Sequence, residues 1–298
     1  MAKAPQQTGG GGTIKVSPGA FQIHSMSSNS RAKYINALIY GAHGAGKTTL
    51  CASAVDVEAM NDVLVVTAEG GTIVFEDNDR IEAYEGLDIL KIERIEQFQK
   101  AYDFIKAHCS FRDTGADDKL AELQAMVFGD ENDERLRKYH TVIIDSLSEV
   151  EALNLAKILN LDALGLDAGD DMEVAGFPQF RKNMHIMQRI VRQFRDLPIN
   201  VLVICSQTYD KDERNQYHYG PKLTGQLRGI IQGFFDVVGW LVVGNKPDEN
   251  TPGPRRLFVQ PQSAPKADAK CRLASYKKDF FDDPIMHDIM VGTGFIKE

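Results

Sequence analysis

The sequence predicts an α/β fold: a mainly parallel, doubly wound sheet with helices on both of its faces. Short continuous apolar runs alternate with stretches of helical periodicity, which is typical of strands buried beneath crossover helices. A glycine-rich loop separates the first apolar run from the first helical stretch, and polar residues end several of the later runs. The chain has 298 residues, of which 43 % are hydrophobic, enough to form a full core.

The pattern also predicts the elements in order. Continuous apolar runs predict buried strands, and the alternation over residues 87–92 places that strand near a sheet edge. The predicted strands are 34–40, 63–67, 87–92, 141–144 and 200–205, and the predicted helices are 47–55, 96–109, 149–159 and 179–197. Residues 237–243 and 257–260 are expected to pair as an antiparallel C-terminal extension, and the acidic residues 160–177 to form a loop.

The ends of the chain differ from its middle. Residues 1–12 are polar and end in four glycines, which predicts a flexible tail. Residues 13–298 are expected to form a single domain that includes a basic C-terminal segment, about 255–298. The net charge of −8 argues against nucleic acid coating the whole surface but is compatible with a local basic site.

Location and redox state can also be predicted. No signal peptide and no run of roughly 18–20 apolar residues is present, so we expect a cytoplasmic protein without a membrane partner. The four cysteines, at 51, 109, 205 and 271, have neither zinc-pair nor CxxC spacing, and we expect no structural disulfide.

The glycine-rich loop matches GxxxxGK[ST] in full and stands between a predicted strand and a predicted helix. Glycines allow backbone N–H groups to surround a phosphate, the lysine adds positive charge, and the threonine hydroxyl is a ligand for Mg²⁺. The motif therefore predicts a site for ATP and Mg²⁺. Its residues are Gly41, Ala42, His43, Gly44, Ala45, Gly46, Lys47 and Thr48, followed by Thr49.

Three polar residues end neighbouring predicted strands, where ligands bind in such sheets. Asp145 follows a buried run and is expected to hold Mg²⁺ through water, although it could instead cap the next helix. Glu69 is the candidate to activate the attacking water, with a solvated loop glutamate as the alternative. Gln207 could hydrogen-bond the γ-phosphate or that water, or could simply form a turn.

The segment after Gln207 interleaves aromatic and basic residues, a composition that suits single-stranded nucleic acid. We expect residues 208–228 to contact single-stranded DNA through stacking rings and phosphate-binding cations: Tyr209, Lys211, Arg214, Tyr217, Tyr219 and Lys222. The alternative is a surface hairpin whose tyrosines pack on the core, which the acidic residues of this segment favour. The basic stripe on the predicted helix 179–197 is a competing DNA surface.

The order of these motifs resembles the RecA-type core of recombinases and hexameric helicases: P-loop, glutamate after the second strand, Ile-Asp-Ser after the third and Ser-Gln after the fourth. The chain is most similar to phage-encoded RecA-like ATPases that accompany single-strand annealing proteins. That similarity rests on Leu38-Ile39-Tyr40, on residues 222–226 with 235–238, and on the basic residues 266–272. It covers roughly residues 34–290, but the sequence lacks the obvious N-terminal oligomerisation helix and the large C-terminal domain of full recombinases.

The resemblance implies a RecA-like P-loop NTPase fold and several roles. Glu69 would activate water, Gln207 would couple ATP to a DNA-binding loop, and Lys270 and Arg272 would reach the ATP of a neighbouring subunit. The alternative for these last two is a solvated basic face. The implied partners are single-stranded DNA, further copies of the chain in a ring or filament, and an annealing or single-strand binding protein in a phage-infected bacterial host.

Three functions remain as hypotheses. The leading one is an ATPase that acts on single-stranded DNA in phage recombination or replication, with turnover stimulated by DNA. The second is a P-loop phosphotransferase acting on a small molecule, although no compact arginine-rich lid is visible in the sequence. The third is a nucleotide-gated assembly or switch protein that does not bind nucleic acid.

Overall fold

The structure is a computed structural model and describes residues 33–70, 75, 84, 86–128, 135–161, 175–211, 215–248, 251, 253–272 and 279–296. One compact unit comprises Lys33–Glu298. The predicted tail, 1–12, and its boundary with the domain lie outside the described residues, as does most of the predicted acidic loop.

In the part of the chain that the structure describes, twelve strands form the sheet. They are β1 (Asn36–Gly41), β2 (Val63–Thr67), β3 (Leu87–Lys91), β4 (Thr141–Asp145), β5 (Asn200–Lys211), β6 (Tyr217–Pro221), β7 (Val237–Val243), β8 (Arg255–Phe258), β9 (Gln262–Ser263), β10 (Lys266–Ala267), β11 (Lys270–Cys271) and β12 (Phe280–Asp282). The main path runs β12-β8-β7-β1-β5-β4-β2-β3. The six strands from β7 to β3 are parallel, while β8 and β12 continue the sheet antiparallel. The predicted fold class, including its antiparallel extension, is confirmed.

The described ranges also contain seven α-helices. They are α1 (Lys47–Ala52), which continues into a 3₁₀ turn (Ser53–Asp56), α2 (Ile95–Thr114), α3 (Asp117–Phe128), α4 (Leu147–Ile158), α5 (Phe177–Arg195), α6 (Leu227–Gln232) and α7 (Met286–Gly292). The glutamine at 97 accepts hydrogen bonds from the backbone N–H groups of Glu93 and Arg94 where α2 begins. Gly115, with φ of 67°, ends that helix in the left-handed conformation that glycine favours.

The core has two parts, one on each face of the sheet, because strand side chains alternate between faces. Tyr40 of β1 packs with Phe98 of α2 and Phe194 of α5 on one face. Ile39 packs with Leu50 of α1 and Met286 of α7 on the other. Helices therefore cover both faces, as predicted, and hold the carboxyl ends of the parallel strands in a fixed arrangement.

Several element predictions were wrong in extent. β5 continues to Lys211, six residues beyond its predicted end, so residues 208–211 belong to a strand. β5 pairs antiparallel with β6, from Gln207 opposite Pro221 to Lys211 opposite Tyr217. The segment after Gln207 is thus a hairpin, as the alternative held, but Tyr209 and Tyr217 are exposed and do not pack on the core. Among the described residues, no helix is long and apolar enough to cross a membrane.

Candidate nucleotide-binding site

The loop between β1 and α1 has the backbone geometry that its glycines allow. Gly44 and Gly46 have φ of 74° and 89°, in the left-handed region that disfavours other residues. Gly41 lies directly against the main chain of β7, where a Cβ atom would collide with the Leu241 carbonyl. The loop is therefore built from glycine where the chain turns and where it approaches a neighbouring strand.

Lys47 folds back over this loop. Its Nζ atom donates hydrogen bonds to the carbonyl oxygens of Gly41, at 3.1 Å, and Ala42, at 2.9 Å. Burial lowers the pKa of Lys47, while the nearby carboxylates of Asp145 and Glu69 act in the opposite direction. The ammonium group is thus held against the loop by carbonyl acceptors and compensated by two acids.

The side chains of Thr48 and Asp145 form a hydrogen bond, although 97 positions separate these residues in the sequence. The Thr48 hydroxyl donates to Oδ2 of Asp145 at 2.8 Å. Burial and the nearby Glu69 raise the pKa of Asp145 to about 6, against the opposing effects of the Thr48 hydrogen bond and Lys47. A hydroxyl oxygen beside a carboxylate is the donor set that Mg²⁺ prefers, so these two residues fit the expected ion.

Glu69 joins the same cluster from β2. Its backbone N–H donates to Thr67 Oγ1 at 3.1 Å, and its carboxylate oxygen Oε1 accepts a short hydrogen bond from the Ser146 hydroxyl. The register of β2 on β4, with Thr67 opposite Asp145, brings the two strand ends together. Ser146 directly follows Asp145 at the position before α4. Its side chain does not cap α4 and instead orients Glu69.

Gln207 lies on the other side of the glycine-rich loop. Its Oε1 atom accepts a hydrogen bond of 2.8 Å from the indole N–H of Trp240 on β7. Gln207, Trp240 and Tyr219 line a cavity of 520 Å³ together with residues 42–45 of the loop. Gln207 could therefore contact a group bound in this cavity. Its hydrogen-bond partner Trp240 was not identified from the sequence.

The β5–β6 hairpin carries most of the predicted DNA contacts. Tyr209 and Tyr217 are 57 % and 43 % exposed, with ring centroids 5.2 Å apart, and the Lys211 ammonium lies 5.0 Å from the centre of the Tyr217 ring. Tyr219 instead stacks on Trp240 at 5.2 Å. Lys222 follows the hairpin and donates its backbone N–H to Ser206, and Arg214 lies outside the described residues. Two of the three tyrosines are thus available at the surface.

Lys270 and Arg272 do not join the site of their own chain. β11 pairs with the beginning of β7, with Lys270 opposite Val238, whereas the glycine-rich loop lies at the far end of that strand. Lys270 donates to the Gln232 carbonyl at 2.5 Å, and Arg272 donates to the Gly233 carbonyl. Burial lowers the pKa of Lys270, and the charge of Arg272 adds to that effect. Their predicted contribution to a neighbouring subunit stays a prediction.

Arg255 is the cation that does reach the loop. A Cβ atom built on Gly46 would lie 2.8 Å from Arg255 Nε. Nothing in the sequence distinguished Arg255 from the other basic residues of its segment, because its position follows from the pairing of β8 with β7.

Comparison with known proteins agrees with this geometry. The profile of a family described as an AAA domain matches residues 33–273, a range that contains Lys47, Glu69 and Asp145. The crystal structure of the RadB recombinase is similar, with 14 % identity and a TM-score of 0.32 over 75 % of this chain and 79 % of that chain, a likeness too low to bear on function. No curated protein matches the sequence. The chain belongs to the AAA domain family.

Proposed function

We propose that this chain is a Mg²⁺-dependent ATPase that acts on single-stranded DNA and that DNA stimulates its turnover. The observation that carries the proposal is the continuity of β5. Gln207 faces the cavity beside the glycine-rich loop, and Tyr209 and Lys211 follow on the same strand, two and four residues further on. One strand thus connects the candidate ATP site to the candidate DNA surface.

The triphosphate would bind through the backbone N–H groups of residues 44–48 and the Lys47 ammonium. Thr48 and Asp145 would hold Mg²⁺, which supplies positive charge to the phosphate oxygens when it is bound. On binding, Lys47 exchanges its two carbonyl acceptors for phosphate oxygens, which are stronger acceptors because they are charged.

Glu69 would take the proton from the attacking water. The Ser146 hydroxyl donates to Oε1 of this carboxylate, which holds the group in place and leaves Oε2 to accept the proton. The water oxygen bonds to the γ-phosphorus, the bond from that phosphorus to the bridging oxygen breaks, and ADP and phosphate leave. The proton from the water ends on Glu69.

Gln207 would report the state of the γ-phosphate to the hairpin. Its amide oxygen is bonded to Trp240, on which Tyr219 stacks, and Tyr219 lies 6.0 Å from Tyr209 between ring centroids. A change at Gln207 would therefore be transmitted through packed rings to the exposed tyrosines.

The α5 stripe, defined by Arg181, His185, Arg189 and Arg192, is the competing DNA surface. Arg192 is already engaged, because its guanidinium lies 4.7 Å from the centre of the Phe234 ring. Phe177 and Phe180 of α5 are 80 % and 38 % exposed, so α5 also offers rings on which bases could stack. The hairpin is favoured because it follows Gln207 directly on β5 and because Arg192 already contacts Phe234.

The test compares ATP turnover and single-strand binding in a Tyr209→Ala/Tyr217→Ala variant with those in an Arg181→Ala/Arg189→Ala control. Losing one stacking ring costs about 1–3 kcal/mol per base, so the tyrosine variant should bind DNA roughly ten-fold or more weakly and lose the stimulation. The salt dependence of binding should stay unchanged in that variant, because phosphate contacts set it. DNA binding like wild type by the tyrosine variant, with a loss in the control, would move the contact to α5.

The wider setting is proposed on the resemblance alone. It consists of recombination or replication in a phage-infected bacterial cell, a ring or filament of identical subunits, and an annealing or single-strand binding protein as partner. Wild-type protein that hydrolyses no ATP with or without single-stranded DNA would contradict the ATPase proposal and favour a nucleotide-gated switch.

A further inference from the structure

Arg255 is held rigidly beside the glycine-rich loop. Its backbone N–H donates to Asp283 Oδ1 at 2.7 Å, and its carbonyl accepts from the Asp283 N–H, also at 2.7 Å. On its other side, β8 pairs with β7, with Arg255 opposite Val243. The guanidinium then lies over Gly46, where its Nε and Cζ atoms would be 2.8 and 3.1 Å from an added Cβ.

The guanidinium of Arg255 differs in its surroundings from that of its neighbour in the chain. Among the residues that the structure describes, no carboxylate forms an ion pair with it, whereas the adjacent Arg256 bonds Asp282 at 2.8 Å and lies 4.1 Å from the centre of the Phe280 ring. Two consecutive arginines thus have different surroundings. Arg256 is bonded to protein groups, whereas Arg255 lies beside a loop shaped for phosphate without an ion-pair partner in the described ranges.

A cavity of 160 Å³ opens next to this guanidinium. One wall consists of Thr49, Leu50 and Ser53 from α1 and the adjoining turn, and the opposite wall consists of Pro284 and Ile285. Complete small-molecule sites measure about 300–1,000 Å³, so this cavity suits one end of a ligand whose remainder lies elsewhere. Its lining combines apolar side chains with two hydroxyls, the Asp283 carboxylate and the Arg255 cation. Apolar surface suits a base, the hydroxyls and the carboxylate suit the hydroxyls of a sugar, and the cation suits a phosphate.

The sheet order determines which end of the ligand this is. Asp145 and Glu69, the acids of the proposed hydrolysis, follow β4 and β2 on one side of β1. Arg255 belongs to β8, on the opposite side of β1 and separated from it by β7. A triphosphate whose γ-phosphate faces the acids therefore directs its α-phosphate and nucleoside towards Arg255.

We infer that Arg255 binds the α-phosphate and ribose end of the nucleoside triphosphate and that the neighbouring cavity takes the base. The inference rests on the proposed ATPase function and adds a residue to its substrate site. A hydrogen bond to a charged group contributes about 1.5–3 kcal/mol, which corresponds to roughly ten- to a hundred-fold in affinity. Because ATP and ADP share the α-phosphate, both should depend on Arg255 equally.

The experiment measures the dissociation constants of Mg-ATP and Mg-ADP for wild type, Arg255→Ala, Arg255→Lys and the matched control Arg256→Ala. Arg255→Ala should weaken both nucleotides by about ten-fold or more, with a larger effect on KM than on kcat. Arg255→Lys should recover part of the affinity because it retains the charge. Arg256→Ala should bind both nucleotides like wild type.

Each other outcome has a defined meaning. Equal ATP and ADP binding by wild type and Arg255→Ala, alongside a defective Lys47→Ala, overturns this inference and leaves the ATPase proposal standing. A loss confined to ATP places the guanidinium at the γ-phosphate and also overturns the inference. Wild-type protein that binds neither nucleotide overturns the proposed function and the inference with it.

Discussion

At the scale of single residues, the proposed hydrolysis depends on Lys47 and Glu69 in different ways. Lys47 neutralises the phosphates in both the ground state and the transition state, whereas Glu69 acts only on the attacking water. We expect Lys47→Ala to lose most of its ATP affinity. Glu69→Gln should retain ATP and hydrolyse it about 10²–10⁴-fold more slowly, because an amide cannot take the proton.

Equilibrium ATP binding and steady-state turnover of the two variants check this prediction. Ser146→Ala is the intermediate case, since it keeps the Glu69 carboxylate but removes the hydroxyl that donates to it. We expect Ser146→Ala to bind ATP normally and to turn over at a rate between wild type and Glu69→Gln. Near-normal turnover by Glu69→Gln would indicate that another acid activates the attacking water.

The candidate site residues that the sequence predicts stand at motif positions or at strand ends. The glycine-rich loop has a fixed spacing, and Asp145 and Glu69 each follow an apolar run. Ser146 as a partner of Glu69, Trp240 as a partner of Gln207 and Arg255 beside Gly46 depend instead on which strands pair. No local pattern contains that information, so these three were missed.

At the scale of the elements, His108 links α2 to the segment that enters β4. Its ring is fully buried, with Nε2 3.1 Å from the Arg137 carbonyl oxygen and 3.3 Å from the Tyr139 nitrogen. Burial lowers the pKa of His108 from 6.5 to about 4, and Arg112 and His140 lower it further. The hydrogen bond to the Arg137 backbone and the charge of Asp62 have the opposite effect on this pKa. The folded protein therefore keeps this ring neutral in weak acid.

We expect the free energy of unfolding to fall as the pH decreases from 6.5 towards 4. In that window the unfolded chain binds a proton at His108 and the folded chain does not, so this residue contributes up to about 1.4 kcal/mol per pH unit. Urea unfolding at pH 7, 6 and 5 measures the slope. His108→Gln should flatten it, and the same slope in both proteins would contradict the assignment.

The packing of β7 against its neighbours gives a second prediction for the elements. A Cβ atom on Gly239 would lie 2.6 Å from Leu257 Cδ1 and 3.1 Å from Ile39 Cδ1, in the buried core. Gly239→Ala should therefore destabilise the fold by about 1–3 kcal/mol, as overpacked cores do. Thermal or urea unfolding measures the loss.

Gly229 in α6 is the matched control, because no atom lies within 4 Å of its added Cβ. Gly229→Ala should stabilise the protein by about 0.4–1 kcal/mol, since alanine reduces the freedom of the unfolded chain. A loss of stability in both variants would show that the effect at Gly239 is not one of packing.

The elements that the sequence did not predict have weak local signals. α6 has only 6 residues, too few to show a helical period. α3 lies in a segment for which the sequence predicted no element, yet Leu120 and Gln124 are buried and Gln124 forms hydrogen bonds with the backbone of Arg137. The predicted end of β5 was too early because residues 208–211 are mostly polar. Hydrogen bonds to β6 extend the strand over these residues. Long apolar runs were located well because burial on both faces leaves a continuous pattern.

At the scale of the whole molecule, the positions of Lys270 and Arg272 bear on assembly. Both lie at the end of β7 opposite the glycine-rich loop, so any contact of theirs with ATP would be made in a neighbouring subunit. We expect the ATPase activity per chain to rise with protein concentration. Arg272→Ala should bind ATP and hydrolyse it poorly, and a cation supplied between subunits can be worth roughly 10³–10⁵ in rate.

Mixing subunits provides the decisive measurement. Arg272→Ala and Lys47→Ala should each be weak alone and should regain activity together, because each supplies what the other lacks. Arg256 forms an ion pair with Asp282 within its own chain, so Arg256→Ala is the control. Adding Arg256→Ala to Lys47→Ala should give no more activity than adding wild-type protein does. If activity does not depend on protein concentration and mixing restores none, Lys270 and Arg272 do not act on a neighbouring subunit. Their role would then be to stabilise the end of α6 through its carbonyl groups.

Trp240 has a practical consequence for all of these measurements. It is the only tryptophan of the chain, and its indole lies in the wall of the cavity beside residues 42–45, with its N–H bonded to Gln207. Indole emission shifts with local polarity and hydrogen bonding, and no second tryptophan overlaps the signal. Rapid mixing of unlabelled protein with nucleotide should therefore give a fluorescence trace in which binding, hydrolysis and phosphate release can be timed separately.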